Sequence, residues 1–322
     1  MEAIVQDRYG PADVLELRDV EQPRIGDDEV LVRVHAAGVD RAVAHLMTGR
    51  PRLVRLMGFG LRRPKAPTPG TGLAGRVEAV GKDVTRFQPG DEVYGTGEGA
   101  FAEYARAKDA KLAPKPVNVT FEQAAVVPHG GFTALEALRD KGKVKEGQSV
   151  LIVGASGAVG TAAVQLAKAF GAEVTGVCST AKVDLVRSLG ADHVVDYTRD
   201  DLADGTSRYD LILDVGGNSP ISRLRRALTR TGTLVIVGGE GGGQWIGMGR
   251  QFRAVTLSPF VLQKLRVFIV KERADDLRTL TELVEDGVFT PVVDRTYPLV
   301  EAADAVRRLE AGQARGAIVL TV

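Results

Sequence analysis

Ser149-Val150-Leu151-Ile152-Val153-Gly154-Ala155-Ser156-Gly157-Ala158-Val159-Gly160 runs from a short apolar stretch straight into a small-residue turn. Residues 161–170 follow with the spacing of a helix. A strand feeding such a turn brings bare amides and the positive end of a helix dipole to one point, which suits a pyrophosphate. A glycine pattern alone is weak, and the strand-turn-helix context gives this one its weight. Ala155 stands where the common pattern has its first glycine. The competing reading, a turn needed only for helix–strand packing, is weakened by the β-α-β units around it. Gly154, Ala155, Ser156, Gly157, Ala158, Val159 and Gly160 are therefore expected to hold a dinucleotide.

Working outward, further apolar runs lie at 173–178, 193–197, 211–213 and 234–237, with a helix-like stretch at 181–189. Apolar strands alternating with helices predict a parallel sheet covered on both faces. Thr120 with Gln123 three residues later reads as a capped helix start. Residues 1 to about 115 differ. Glu29–Ala36 and Gly75–Val80 alternate like half-buried strands, and Gly10-Pro11, Gly26-Asp27 and Pro89-Gly90 mark turns. This predicts a β-rich, barrel-like domain. After 258 come helix-like stretches at 275–286 and 302–311 and a final strand at 317–322. The expected fold is α/β. A β-rich domain of residues 1–119 and 259–322 is interrupted by a doubly wound, Rossmann-type domain of residues 120–258.

The 322 residues carry a net charge of +1, with 44% hydrophobic and 26% charged residues, so no global signal points to nucleic acid or an anionic membrane. No apolar run approaches the ~18 residues of a membrane span. The first residues lack the apolar core of a signal peptide, and a cytoplasmic location is expected. Cys178 is the single cysteine, and His35, His45, His129 and His193 are not paired at ligand spacing. No metal site is expected.

An acidic residue at the end of the second strand would bind a ribose 2′-hydroxyl. Here that end reads Cys178-Ser179-Thr180-Ala181-Lys182, and Asp184 falls in the next helix. Hydroxyls and an ammonium suit a 2′-phosphate, so NADPH is the expected cofactor, with Ser179, Thr180 and Lys182 as contacts. The alternative makes Ser179 a helix cap and Lys182 a solvated charge.

Gly147-Gln148-Ser149-Val150-Leu151, Ala155-Ser156-Gly157, Gly160, Gln165 and Lys168 together resemble the signature of zeta-crystallin-like quinone oxidoreductases. Those enzymes form a zinc-free branch of the medium-chain dehydrogenase/reductase superfamily. Ala158 departs from that signature, which has glycine there. Residues 128–134, 187–192, Asp214-Val215-Gly216-Gly217 and 315–319 look like the same superfamily. The resemblance implies a GroES-like catalytic domain split by a Rossmann domain, and homodimers paired through the Rossmann sheet edge. It implies Thr133 near the nicotinamide ribose and Tyr197 near the adenosine phosphate end. It makes Gly238-Gly239 the turn approaching the nicotinamide. Zinc-dependent relatives carry a cysteine where this chain has Ala37 and a histidine where it has Thr71. Without a Lewis acid, quinones and α,β-unsaturated carbonyls are better hydride acceptors than simple ketones.

Asp40, Tyr94 and His129 are the candidates for handling substrate. Asp40 fits a cleft position or a helix N-cap equally. Tyr94 offers a phenol to a developing oxyanion, against the alternative of a core aromatic. His129 replaces a usually apolar residue and offers a proton after hydride transfer, against the alternative of a buried structural histidine. Residues 50–63 interleave basic and apolar side chains, as a lid over a lipophilic site or a surface loop would. Residues 239–249, with Trp245, form either a flexible segment near the nicotinamide or a plain connection. The resulting expectation is a zinc-independent, NADPH-dependent reductase of quinones or related conjugated carbonyls. A 2-enal or enoyl-thioester reductase, and an NADPH-binding sensor with little turnover, are the alternatives. The expected partner is a small molecule, with neither nucleic acid nor stable membrane insertion.

Overall fold

This computed structural model describes residues 1–52, 55–202, 207–238 and 249–322. The chain opens with β1 (Glu2–Val5), β2 (Glu16–Asp19) and the long β3 (Glu29–Val39), then α1 (Arg41–Thr48). Next come β4 (Gly72–Val80), β5 (Glu92–Thr96), β6 (Tyr104–Lys108) and β7 (Leu112–Pro114), and then α2 (Phe121–Leu135). From there the chain alternates: β8 (Ser149–Val153), α3 (Ala158–Ala169), β9 (Glu173–Cys178), α4 (Val183–Ser188), β10 (His193–Asp196) and β11 (Tyr209–Asp214). It continues through α5 (Ile221–Ala227), β12 (Leu228–Ile236), α6 (Gly249–Leu257) and β13 (Lys264–Val267). The last elements are α7 (Ala274–Glu285), β14 (Val293–Pro298), α8 (Ala302–Glu310) and β15 (Ala317–Thr321).

By internal contacts the chain forms one unit of residues 1–129, 272–287 and 291–322 and another of 130–271 and 288–290. The changeovers fall later than the composition shifts at 119 and 258. Strand β13 joins the parallel sheet beside β12, and this carries the second unit past residue 258.

In the first unit a seven-stranded sheet runs β14-β15-β3-β4-β5-β7, with β6 also pairing β3. Its alternating side chains bury Val30, Val32, Val34, Leu73, Val77 and Val93 in one core with Ile318 and Leu320 of the final strand. The carboxy-terminal segment therefore completes this β-rich unit: β15 pairs antiparallel with β3, Ile318 opposite Val39. The start of α2 is capped reciprocally, Gln123 N–H donating to Thr120 Oγ1 at 3.3 Å and Thr120 N–H to Gln123 Oε1 at 3.1 Å.

In the second unit the six-stranded sheet runs β10-β9-β8-β11-β12-β13, all neighbours parallel. Counted from β8, that is the 3-2-1-4-5-6 order of the doubly wound dinucleotide fold. The strand order reverses between β8 and β11, and ligands of such sheets bind at the carboxyl ends on either side of the reversal. Leu151, Val177, Ile212, Leu234 and Ile236 build its core with Leu224 of α5.

Candidate active site

At the carboxyl end of β8, Gly154 turns the chain with φ +87°, where only glycine is unstrained. A Cβ there would lie 2.8 Å from the Gly216 nitrogen, so the turns after β8 and β11 meet backbone to backbone. The N–H groups of Gly154 and Ala155 both donate to Val177 O, at 3.1 and 3.0 Å. A Cβ on Gly160 would sit 2.1 Å from Gly154 O, so that glycine seats α3 against the turn. Ala155 and Ser156 are buried. Gly157 differs: a Cβ there would find no protein atom nearer than 3.9 Å. Packing does not require glycine at 157, whereas close approach of a ligand to the backbone does. Gly157 caps α3 without a side-chain hydrogen bond, so the amides of Ala158, Val159 and Gly160 in the first turn have no intrahelical acceptor. These residues fit a pyrophosphate held by backbone and helix dipole.

At the ends of β9 and β10 lies a feature the sequence reading missed. Thr180 Oγ1 donates to Asp196 Oδ2, and Thr198 donates to Asp196 Oδ1 through its hydroxyl at 2.7 Å and its amide at 3.0 Å. Hydrogen bonds from Thr180 and Thr198 hold the Asp196 carboxyl below the usual carboxylate range. The expectation that Thr180 offers its hydroxyl to a 2′-phosphate is corrected by this engagement. Ser179 makes no side-chain cap bond, and Lys182 is half-buried in the turn that follows. Tyr197 is 60% exposed, and its amide donates to Cys178 O at 3.1 Å. Thr133 is half-buried on α2. Gly238 approaches Val215 O so closely that a Cβ would fall at 2.2 Å, and its amide donates to Asp214 O at 3.0 Å. Asp214 is fully buried, accepts from Gly217 N–H at 3.1 Å and pairs with Arg250. Burial raises its carboxyl pKa against the pull of Arg250. Gly239 and the stretch 240–248 with Trp245 lie outside the described residues.

The first unit brings together residues that are far apart in sequence. Asp40, at the end of β3, is the N-cap of α1, its Oδ1 accepting from Val43 N–H at 2.9 Å. Its Oδ2 stands 2.8 Å from His129 Nε2 on α2, and the two side chains are only 16% and 24% exposed. Thr71 Oγ1 meets the same nitrogen at 2.8 Å. A Cβ on Gly72 would fall 2.9 Å from the imidazole Cδ2, so Gly72 makes room for the ring. Burial by itself lowers the His129 pKa, but the Asp40 carboxylate beside it wins and raises it. Burial likewise raises Asp40, and His129 more than offsets that, leaving it lowered. The arrangement favours the protonated imidazole beside the carboxylate and puts the shared proton at Nε2. Asp40 is thus the N-cap of α1 and at the same time the partner of His129.

Tyr94 is corrected. It is fully buried, its hydroxyl is 2.8 Å from Thr281 Oγ1 and 3.3 Å from Leu277 O, and burial pushes its pKa up. The phenol is engaged with α7 and is not presented to a substrate. Sequence reading also missed Glu272, whose Oε2 accepts from Thr96 Oγ1 and Lys111 Nζ, both at 2.9 Å. Nothing in the linear pattern links residues 96, 111 and 272.

Within 50–63, Leu53 and Val54 lie outside the described residues. The remainder is tied down by Arg55, which lies 4.2 Å from the Tyr9 ring centroid and donates to Gly49 O at 3.0 Å. Leu56, Phe59 and Leu61 are 70%, 45% and 65% exposed. Among the described residues no three His, Cys, Asp or Glu side chains converge as a metal site. Among them no helix is long and apolar enough to cross a membrane.

Residues 26–117 match the family described as alcohol dehydrogenase GroES-like domain, and residues 189–320 the one described as zinc-binding dehydrogenase. The chloroplastic NADPH-dependent alkenal/one oxidoreductase of Arabidopsis thaliana is 34% identical over 99% of this chain and 79% of its own length. The quinone oxidoreductase of Homo sapiens is 31% identical, over 99% of this chain and 97% of that protein. A mycobacterial protein solved in complex with NADPH superposes with a TM-score of 0.86 at 27% identity, over 100% of both chains.

Proposed function

The chain belongs to the medium-chain dehydrogenase/reductase family, in its quinone oxidoreductase branch, and from that premise we propose that it carries hydride from NADPH to a quinone or related conjugated carbonyl without zinc. The observation that carries this reading is the contact of His129 Nε2 with both Asp40 and Thr71. Ala37 and Thr71 stand where zinc-dependent relatives have metal ligands, and here Thr71 bonds to an acid–base pair instead. Bound NADPH supplies hydride. Backbone amides of Ala158, Val159 and Gly160, in the turn that Gly154 to Gly157 shape, hold its pyrophosphate, and Ser179 and Lys182 face its 2′-phosphate. Thr133, Tyr197, Gly238 and Gly239 complete the cofactor contacts in this reading. Hydride added to a conjugated carbonyl leaves negative charge on oxygen, and the Thr71 hydroxyl donates a hydrogen bond and then its proton to it, recovering a proton from His129 Nε2–H. Asp40 steadies the charged imidazole beforehand. His129 and Thr133 lie four residues apart on α2, one helical turn.

NADPH oxidation tested against quinones, enals and enoyl thioesters, before and after exhaustive chelation, decides the matter. Turnover of quinones or enals that survives chelation is expected. Stoichiometric zinc by elemental analysis, or loss of activity on chelation, refutes the zinc-free reading. Preference for enoyl thioesters moves the assignment to that substrate class. The same reading takes the chain as a homodimer paired through the sheet edge at β13, which sedimentation checks.

A further inference from the structure

We infer that the recess at the amino-terminal ends of the parallel strands is a second binding site, for a compact multivalent phosphorylated anion. The recess encloses about 600 Å³. Lys143, Lys145 and Gln148 line it from the segment before β8, Asp210 from β11, Thr229 and Thr231 from β12, and Lys264 and Arg266 from β13. The dinucleotide turn lies at the other end of β8. Five strand residues separate the two ends, about 16 Å at the usual rise. One ligand does not serve both places.

The charges in the recess do not cancel. Arg139 donates twice to Asp140, at 2.7 and 2.9 Å, and Asp210, which accepts from Ser149 N–H at 3.2 Å and Thr229 Oγ1 at 3.4 Å, sets one negative charge against the cations. Lys141 is paired with Glu136 at 3.2 Å. Lys143, Lys145, Lys264 and Arg266 make no ion pair with any described residue. Lys264 and Arg266 alternate on β13 and so share one face. Like charges gathered around a concavity repel one another and attract a polyanion.

The backbone adds an independent observation. Lys143 has φ +52° and is the one non-glycine with positive φ among the described residues. It caps the helical segment Glu136–Gly142, a position where glycine is ordinarily used. A lysine stands at this glycine position on the rim of a cationic recess, which fits a role for its ammonium group there. Cations on several sides, with the Thr231 hydroxyl between them, suit the oxygens of a phosphate carrying two or more charges.

The test is calorimetric titration of the full chain with inorganic pyrophosphate, with the Gly154 turn first saturated by NADPH. Saturable binding at one site per chain is expected, with citrate at least tenfold weaker. Lys264→Glu with Arg266→Glu should weaken pyrophosphate at least tenfold and leave NADPH affinity unchanged. Lys143→Gly should weaken pyrophosphate severalfold without lowering Tm, since glycine accepts that backbone. The site is refuted by the absence of saturable binding to the NADPH-loaded chain, or by binding that these substitutions leave alone. Citrate binding as tightly as pyrophosphate overturns the phosphate assignment. NADPH loading is read separately, so failure here is distinct from failure of the proposed reaction.

Discussion

The turn from Gly154 to Gly160 and the cluster of Asp40, Thr71 and His129 are built by opposite means. The turn presents main chain: its side chains are small, the first-turn amides of Ala158, Val159 and Gly160 lack an intrahelical acceptor, and its residues are contiguous. The cluster works through side chains drawn from the end of β3, the approach to β4 and the middle of α2. A main-chain site fixes which kind of ligand binds and says little about what is done to it. A side-chain cluster carries chemistry, and single substitutions are enough to alter it.

The contrast is open to direct attack, most severely at Gly160. Gly160→Val would force carbon against Gly154 O, where even a Cβ comes within 2.1 Å. The expected outcome is a loss of ~3 kcal/mol of stability and at least a 100-fold loss of NADPH affinity, read by thermal unfolding and calorimetry. Gly157→Leu sharpens the point, because that position is open. NADPH affinity should drop about tenfold, with stability within about 0.5 kcal/mol of the parent. An equal loss of stability at both positions would break the distinction between packing glycine and ligand glycine.

Next in size is His129→Phe. Turnover of the preferred acceptor should fall about 100-fold while NADPH still binds, the usual scale of a lost general acid. Unchanged turnover across pH would remove His129 from the mechanism. Asp40→Asn acts more gently, since asparagine still caps α1 but no longer holds a charge beside the imidazole. The raised His129 pKa should drop, and the alkaline limb of kcat/KM should shift to lower pH. The linkage has a definite sign. His129, raised, adds stability that is full below its ordinary value of 6.5 and is lost as pH climbs through its folded value. Asp40, lowered, adds stability above its ordinary 3.8 that is lost as pH falls through its folded value. Unfolding free energy measured against pH should therefore lose this plateau in Asp40→Asn. Asp40→Ala should cost ~1 kcal/mol more by also removing the cap. The smallest effect is expected from Tyr94→Phe, about 1 kcal/mol of stability for its hydrogen bonds, with kcat unchanged. A large kcat effect there would reinstate the phenol as a substrate contact.

The same contrast explains what the sequence disclosed. Periodicity and a strand-turn-helix spacing are local, so the parallel sheet, the turn and the capped start of α2 were legible at Ser149–Gly160 and Thr120–Gln123. The helix expected at 161–170 begins earlier, at Ala158, because glycine and alanine conceal a first helical turn among turn residues. Contacts between distant residues left no such trace. Asp40 and His129 were each singled out for type and position, yet nothing in the linear pattern joined them to each other or to Thr71. The Thr180–Asp196 bond was hidden for a related reason. The acid arrives from the next parallel strand, and only sheet register brings Asp196 beside Cys178. Tyr94 misled because a tyrosine at a strand centre reads alike whether its hydroxyl meets a ligand or a helix.

Asp40 divides its two oxygens between an amide and an imidazole, and this gives the protein an internal indicator. Whatever proton occupancy His129 adopts alters the charge felt through one carboxylate by the Val43 N–H, on the far side of that group. The nitrogen-15 resonance of Val43 should therefore trace the titration of the imidazole with no probe added, and should lose its inflection once the ring is replaced.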